Sequence, residues 1–414
     1  SARSSYSAAG SLEPEYLAWS GDGSTLFVNL QENNAVAIID VPATGAPSLT
    51  KITGLGLKDH GTVPIDLKKD KACTLATYPG LKSLRLADSI QAVEVDGKTY
   101  ILTANEGDDV GYGDWEEKLK LKDVVESDGT PDSDMLHMTI TADAASAAQA
   151  VHAATDSLRI TIGSTAVDYS NSSAPEIQHI VAFGGRGISI YEHISGDLSL
   201  VWDSGSEFET QQCANFPWAH NGIQDEEFSP VNGTLWTVDE GIRETLEEMA
   251  QECTDGGDGH PGACPLGQTV DERSEKDGAA PEAIVAGKAC GSLLAVTATE
   301  KQGTAFVYDI SNIQSPSLLF VKHLSPASET KNPGVAYADR TIGEIDPEAM
   351  IFLDAAHSPS GKAGVMFAGA WSGTMSFWEF ECPSTTSSQA QDVSAAGKSV
   401  LSLAILFLSS FALA

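Results

Sequence analysis

One unit recurs along this chain, and few folds can use it repeatedly. It consists of an acid, a short apolar stretch, a Gly-rich turn, a strand, a second acid and a second strand. Glu13-Pro14-Glu15-Tyr16-Leu17 leads through Gly21-Asp22-Gly23 to a predicted strand over 25–30, then Glu32-Asn33-Asn34 and a predicted strand over 35–41. Asp88-Ser89-Ile90-Gln91-Ala92 leads to a strand over 99–103 and Glu106-Gly107. Ala280-Pro281-Glu282-Ala283-Ile284 leads to strands over 293–297 and 304–310 around Glu300-Lys301-Gln302-Gly303. Asp346-Pro347-Glu348-Ala349-Met350 leads to strands over 364–370 and 374–380 around Ser372-Gly373. The two acids stand 17 residues apart from Glu15 to Glu32, and 18 apart for both Asp88 to Glu106 and Glu282 to Glu300. A shorter relative starts at Ala174-Pro175-Glu176 and a degenerate one at Gln224.

Alternating apolar residues between Gly-rich turns are antiparallel strands joined by hairpins. A small sheet repeated along a chain is how propellers keep strand edges short and protected. The expectation is therefore an all-β propeller of five or six four-stranded blades, the alternative being a two-sheet sandwich. In a propeller, matching loops of successive blades converge on one end of the channel. Glu15, Asp88, Glu282 and Glu348 would then face a shared space, with Glu32, Glu106 and Glu300 in a second ring one strand later. Gathered carboxylates repel unless a cation, a proton or an Arg compensates, and all-oxygen ligands suit Ca²⁺ or Mg²⁺. The expected ligand set is Glu15, Glu106, Asp108, Glu282, Glu300 and Glu348. The competing reading has each Glu capping turn amides of its own blade.

Charge narrows the partners. The chain carries 24 Lys+Arg against 58 Asp+Glu, a formal net charge of −34, which excludes a basic nucleic-acid face or a polybasic membrane surface. With 42% hydrophobic residues, the acidity is not that of a disordered tail. The six cysteines form no CxxC pair, so two or three disulfides are expected rather than a zinc knuckle. Sequons at Asn171 and Asn232 fit a secreted chain. The chain ends in an apolar run, Val400–Ala414, short for a bilayer span, after a Ser/Ala-rich stretch. Small residues, polar spacer and hydrophobic tail read as a glycosylphosphatidylinositol anchor signal attached at Ser388 or Ser394; a tail-anchored helix or a packed terminal strand are the alternatives. The expected layout is a propeller over 1–382, a spacer over 383–399 and a signal over 400–414. The start, with neither Met nor an apolar leader, suggests missing N-terminal blades.

Several of these stretches resemble the choice-of-anchor I domain family. They are Glu13-Pro14-Glu15-Tyr16, Gln31-Glu32-Asn33-Asn34-Ala35, Gly54–His60, Thr103-Ala104-Asn105-Glu106-Gly107-Asp108, Phe183-Gly184-Gly185-Arg186, Asp271-Glu272-Arg273-Ser274 and Val307-Tyr308-Asp309-Ile310. The resemblance implies a secreted or surface-attached propeller, linked in animals to calcium carbonate biomineralisation. Asp66–Lys71 and Val167–Ser173 stand where relatives tend to carry calcium-loop-like runs, but here neither keeps the alternating acids. Ala142–Thr155 reads as a surface helix, and Cys213–Cys264 as an acidic insertion.

No P-loop, GxSxG or HExxH occurs. Among nine scattered histidines, His60 is the one to watch, although a lone loop histidine is more often a hydrogen-bonding residue. Two function classes follow. The first is a non-catalytic, anchored surface glycoprotein that binds divalent cations or mineral, with Ca²⁺ as the expected ion and Mg²⁺ or Zn²⁺ as alternatives. The second is a metal-dependent propeller phosphoesterase on the same carboxylates. There Arg186, Arg273 and Lys301 would help hold phosphate; otherwise they pair with neighbouring acids.

Overall fold

The computed structural model describes residues 9–112, 115–223 and 264–382, together with positions 244 and 248. Four small antiparallel sheets carry the repeat. The first blade holds Leu17–Trp19, Thr25–Leu30, Ala35–Asp40 and Ser48–Gly54, in that order. The second holds Ala87–Val95, Lys98–Asn105, Gly187–Ile194 and Asp197–Asp203. The third holds Pro281–Ala289, Ser292–Thr299, Thr304–Asp309 and Ser317–His323. The fourth has three strands among the described residues, Ala349–Leu353, Gly364–Gly369 and Thr374–Glu379.

The blades stack face to face, because their strands are apolar on both sides. In Ser292–Thr299, Ala295 packs toward the second blade with Tyr100, Leu102, Ile188 and Ile190. Its alternate neighbours Leu294, Val296 and Ala298 pack toward Met350, Val365 and Phe367 of the fourth. The next strand does the same, with Phe306 and Tyr308 on one side and Ala305 and Val307 on the other. Period-two alternation thus serves two cores at once. Between the first and second blades, Phe27, Val36 and Ile38 meet Ala87, Ile90 and Ile101. The first strands of successive blades are neighbours, which sets the β-propeller arrangement around a central channel.

A mixed five-stranded sheet interrupts the series, ordered Lys118–Lys120, Arg159–Thr161, Ile180–Ala182, Leu81–Leu84 and Leu57–Asp59. Two expectations change here. Ala174–Glu192 is not a blade: Ile180–Ala182 joins the mixed sheet, parallel to Leu81–Leu84, while Gly187–Ile194 completes the second blade beside Lys98–Asn105. The expected surface helix is Ala142–His152, and it buries Ala144, Ala147, Ala148 and Val151 against the mixed sheet's core. Its Ala-rich face allows this close approach. The degenerate unit from Gln224, the sequon at Asn232, the spacer and the apolar tail lie outside the described residues. Disulfides join Cys73 to Cys213 and Cys290 to Cys382, and Cys264 is also disulfide-bonded.

Candidate metal centre

The four repeat acids sit at equivalent points of the four blades, and one backbone device puts each there. Glu13, Leu86, Ala280 and Asp346 have φ of +41°, +49°, +37° and +54°, and each stands two residues before Glu15, Asp88, Glu282 or Glu348. None is glycine, so each turn holds a conformation that costs a side-chain-bearing residue roughly 1–2 kcal/mol. In the second and third blades the acid also falls in a register shift, between Ala87 and Ser89 and between Pro281 and Ile284. A bulge leaves a residue outside the ladder and re-aims its side chain. Asn29 holds the bulge at Asp88, donating through Nδ2 to the carbonyls of Ala87 (2.5 Å) and Asp88 (2.8 Å).

Carboxylate oxygens of Glu106, Glu282 and Glu300 lie within 4.8 Å of one another. Glu106 leaves its strand just before Gly107 (φ +128°), where a Cβ would stand 2.6 Å from the Gly184 Cα. Only glycine permits that approach between the two loops. Glu106 accepts a hydrogen bond from Gln31 Nε2 at 2.6 Å, and Lys301 pairs with Glu300. Asp88 Oδ2, Glu282 Oε2 and Glu300 Oε2 are buried with no hydrogen-bond partner.

Burial and mutual repulsion hold these acids toward their neutral forms. Burial first, then Glu106, Glu15 and Glu348, push Asp88 up to about 8. Burial, then Asp277 and Asp108, push Glu106 up to about 7. Glu282 is raised well above the carboxylate range by burial, Glu106, Asp88 and Glu348. Glu32, in the second ring, rises to about 7, mainly by burial. Clustered, under-satisfied oxygens within reach of one point suit a hard cation, whose ligands stand about 2.3–2.6 Å away. Glu106, Glu282 and Glu300 would hold it, with Asp88 as their neighbour.

Beside this group opens a cavity of about 310 Å³. Its wall includes Lys118, Arg159, Arg273, Lys276 and Lys301 as well as Glu106, Asp108, Asp277 and Glu300. Arg273 pairs with Asp277 and Lys118 with Asp109. Although burial opposes ionisation, Arg273 and Lys301 hold Asp277 below its ordinary value.

Of the six expected ligands, three converge. Glu15, Asp108 and Glu348 are exposed, on irregular segments, and stay outside the group. Their charges still reach it: after burial, Asp108 is among the acids that raise Glu106, and Glu348 among those that raise Glu282. Arg186 must be removed from the phosphate-binding set. It is buried, donating to Glu209 Oε1 (2.7 Å) and to the carbonyls of Asp66, Ser274 and Lys276. That leaves it joining segments rather than facing the cavity. Arg273 and Lys301 do line it. His60 is buried, with Nδ1 at 3.2 Å from the Val63 carbonyl and Nε2 at 3.0 Å from Ser83 Oγ, a hydrogen-bonding residue. Sequence reading missed Gln31 and Asp277, whose side chains reach the site from outside the acid repeat. Asn171 is exposed on a turn of the described chain.

Fold and site together define a very acidic propeller with a carboxylate-lined channel. The profile of the choice-of-anchor I domain matches residues 1–234, more than half of the chain, and the chain belongs to that family. It is 28% identical over 189 residues to a mesenchyme-specific cell surface glycoprotein of Strongylocentrotus purpuratus, covering 41% of this chain but only 23% of that relative. Among solved structures, a periplasmic gluconolactonase of Pseudomonas aeruginosa aligns at 11% identity and TM-score 0.29, over 88% of this chain and 66% of its own. A putative 6-phosphogluconolactonase of Bacteroides fragilis aligns at 8% identity and TM-score 0.26, over 88% and 65%. Likenesses this weak carry no argument about activity. Among the described residues, no helix is long and apolar enough to cross a membrane.

Proposed function

We propose that this protein is a cell-surface glycoprotein whose channel carboxylates hold a divalent cation, Ca²⁺ by their donor type. The observation that carries the reading is the convergence of Glu106, Glu282 and Glu300, with buried oxygens of Asp88, Glu282 and Glu300 left without partners. Surface location is supported by the family, the disulfides and the name of the sea-urchin relative. The pattern of the last residues supports a glycosylphosphatidylinositol anchor at Ser388 or Ser394, and Asn171 and Asn232 are the glycosylation sites proposed. A net charge of −34 suits a calcium mineral or a matrix rich in calcium as partner.

One observation favours a second reading. Five basic side chains gather at the cavity beside the carboxylates, in a chain with few of them. A phosphate bridging a bound cation would meet Arg273 and Lys301 there, as in a metal-dependent phosphoesterase. Thermal unfolding with and without Ca²⁺, in parallel with p-nitrophenyl phosphate hydrolysis under Ca²⁺, Mg²⁺ and Zn²⁺, separates the readings. Stabilisation by calcium without turnover supports the binding protein. Metal-dependent turnover abolished by Lys301→Ala supports the enzyme, and no response in either assay contradicts both.

A further inference from the structure

A second ligand-type group lies apart from the channel carboxylates, among side chains no blade repeat supplies. Asp66 belongs to the loop after Leu57–Asp59, His220 follows the turn Pro217–Ala219, and Asp271 lies in the turn before the third blade. All three are fully buried, at 0% exposure. We propose that Asp66, His220 and Asp271 form a structural site for a transition-metal dication, zinc by its donor set.

His220 Nε2 stands 3.1 Å from Asp66 Oδ2 and 3.5 Å from Asp271 Oδ1. Ligands about 2.0–2.2 Å from a tetrahedral zinc ion stand about 3.3–3.6 Å apart, close to these separations. Hydrogen bonding alone accounts for less. Nε2 carries at most one proton, which serves Asp66 at the shorter distance and leaves Asp271 poorly served. Asp271 Oδ1 also accepts from Ser274 Oγ at 3.2 Å, but its Oδ2 is buried with no hydrogen-bond partner. That orphaned oxygen is an observation independent of the clustering, and a metal ion would take it up. Charge points the same way. Two buried carboxylates converge on one imidazole; the Asp66 carboxylate accepts from the amides of Lys68 (3.1 Å) and Thr74 (2.7 Å), and a dication would neutralise the buried negative charge that these dipoles only partly offset. Arg186 offers no relief, since it meets Asp66 only at its backbone carbonyl and gives its charge to Glu209.

The other ring nitrogen also fits. His220 Nδ1 lies 3.5 Å from Cys213 Sγ, leaving Nε2 to face the carboxylates. Cys73 and Cys213 themselves cannot ligate as thiolates, because they are bonded to each other. An imidazole nitrogen with carboxylate oxygens suits Zn²⁺ better than Ca²⁺. Bound there, the ion would join three segments distant in sequence, at a place already held by the Cys73–Cys213 bond and the Lys69–Glu272 ion pair (2.6 Å).

The test is elemental analysis of the full chain, purified without metal-affinity steps and dialysed against metal-free buffer. One zinc ion per chain is expected. Chelator treatment should lower the melting temperature, and added Zn²⁺ should restore it where added Ca²⁺ does not. His220→Asn and Asp271→Asn should each weaken zinc retention by roughly tenfold or more, while Glu282→Gln keeps it. If either variant fails to fold, chelation and re-addition on the wild type decide. Wild-type protein that neither retains zinc nor is stabilised by it overturns the proposal, as does full zinc retention in both variants.

Discussion

At Asn34 the backbone turns through φ +49°, and the side chain ties the first blade to the entry of the second. Oδ1 accepts from the amides of Arg85 (3.1 Å) and Leu86 (3.0 Å), and Nδ2 donates to the Gly56 carbonyl at 3.0 Å. Asn34→Gly keeps the conformation and loses these bonds, so a stability loss of about 1–3 kcal/mol is expected. Asn34→Ala should lose about 1–2 kcal/mol more, since it must also enter the left-handed region. Urea denaturation compares the two; Ala no worse than Gly would mean that the backbone conformation is not limiting. Two buried histidines contribute to the acid response. Burial, then Lys58 and Arg186, hold His60 down to about 3, and burial holds His323 down to about 3. Both fall below the ordinary 6.5, so an unfolded chain takes up protons that the folded chain refuses. Their contribution is complete above about pH 6.5 and is lost progressively toward pH 3. His60→Gln and His323→Gln should each flatten the loss of denaturation midpoint between pH 7 and pH 4. An unchanged slope in both would contradict this.

The helix Glu207–Asn215 ties the second blade to the third through Phe208, which is fully buried and stacks on Phe306 with ring centroids 3.9 Å apart. Phe208→Ala should cost about 3–5 kcal/mol, read as a shift in chemical-denaturation midpoint; a loss below about 1 kcal/mol would show that the neighbouring blades collapse into the space. Nothing in the sequence pointed to this contact, since Phe208 sits in a polar helix and Phe306 is 98 positions away. Strands were the legible elements. Thr25–Leu30 stands where its alternation placed it, and the paired strands of the third and fourth blades differ from expectation only at their ends. Pairing between neighbouring hairpins is local, and each Gly-rich turn marks it. The bulges at Asp88 and Glu282 were not legible, because register depends on the partner strand.

Across the whole molecule, what the repeat could reveal was the order of the blades and the acids at the start of, or just before, their first strands. It could not reveal that the second blade is split, with Ile101 and Ile188 in adjacent strands although 87 positions apart. Alternation in Gly187–Ile194 looks the same whichever strand lies beside it, so a separate blade was the natural reading. The site was half legible for a similar reason. Glu106, Glu282 and Glu300 were picked out by their place in the repeat, while the exposure of Glu15, Asp108 and Glu348 depends on tertiary packing that the spacing does not encode. The buried Asp66, His220 and Asp271 follow no spacing rule at all, since their meeting depends on long loops. Calorimetric titration of the purified protein with Ca²⁺, wild type against Glu282→Gln, tests the cation reading most directly. Saturable binding in the wild type, a higher melting temperature with calcium, and an affinity loss of roughly tenfold or more in the variant are expected. Equal calcium affinity and equal thermal stability in the two proteins would make Glu282 a turn residue and contradict the assignment.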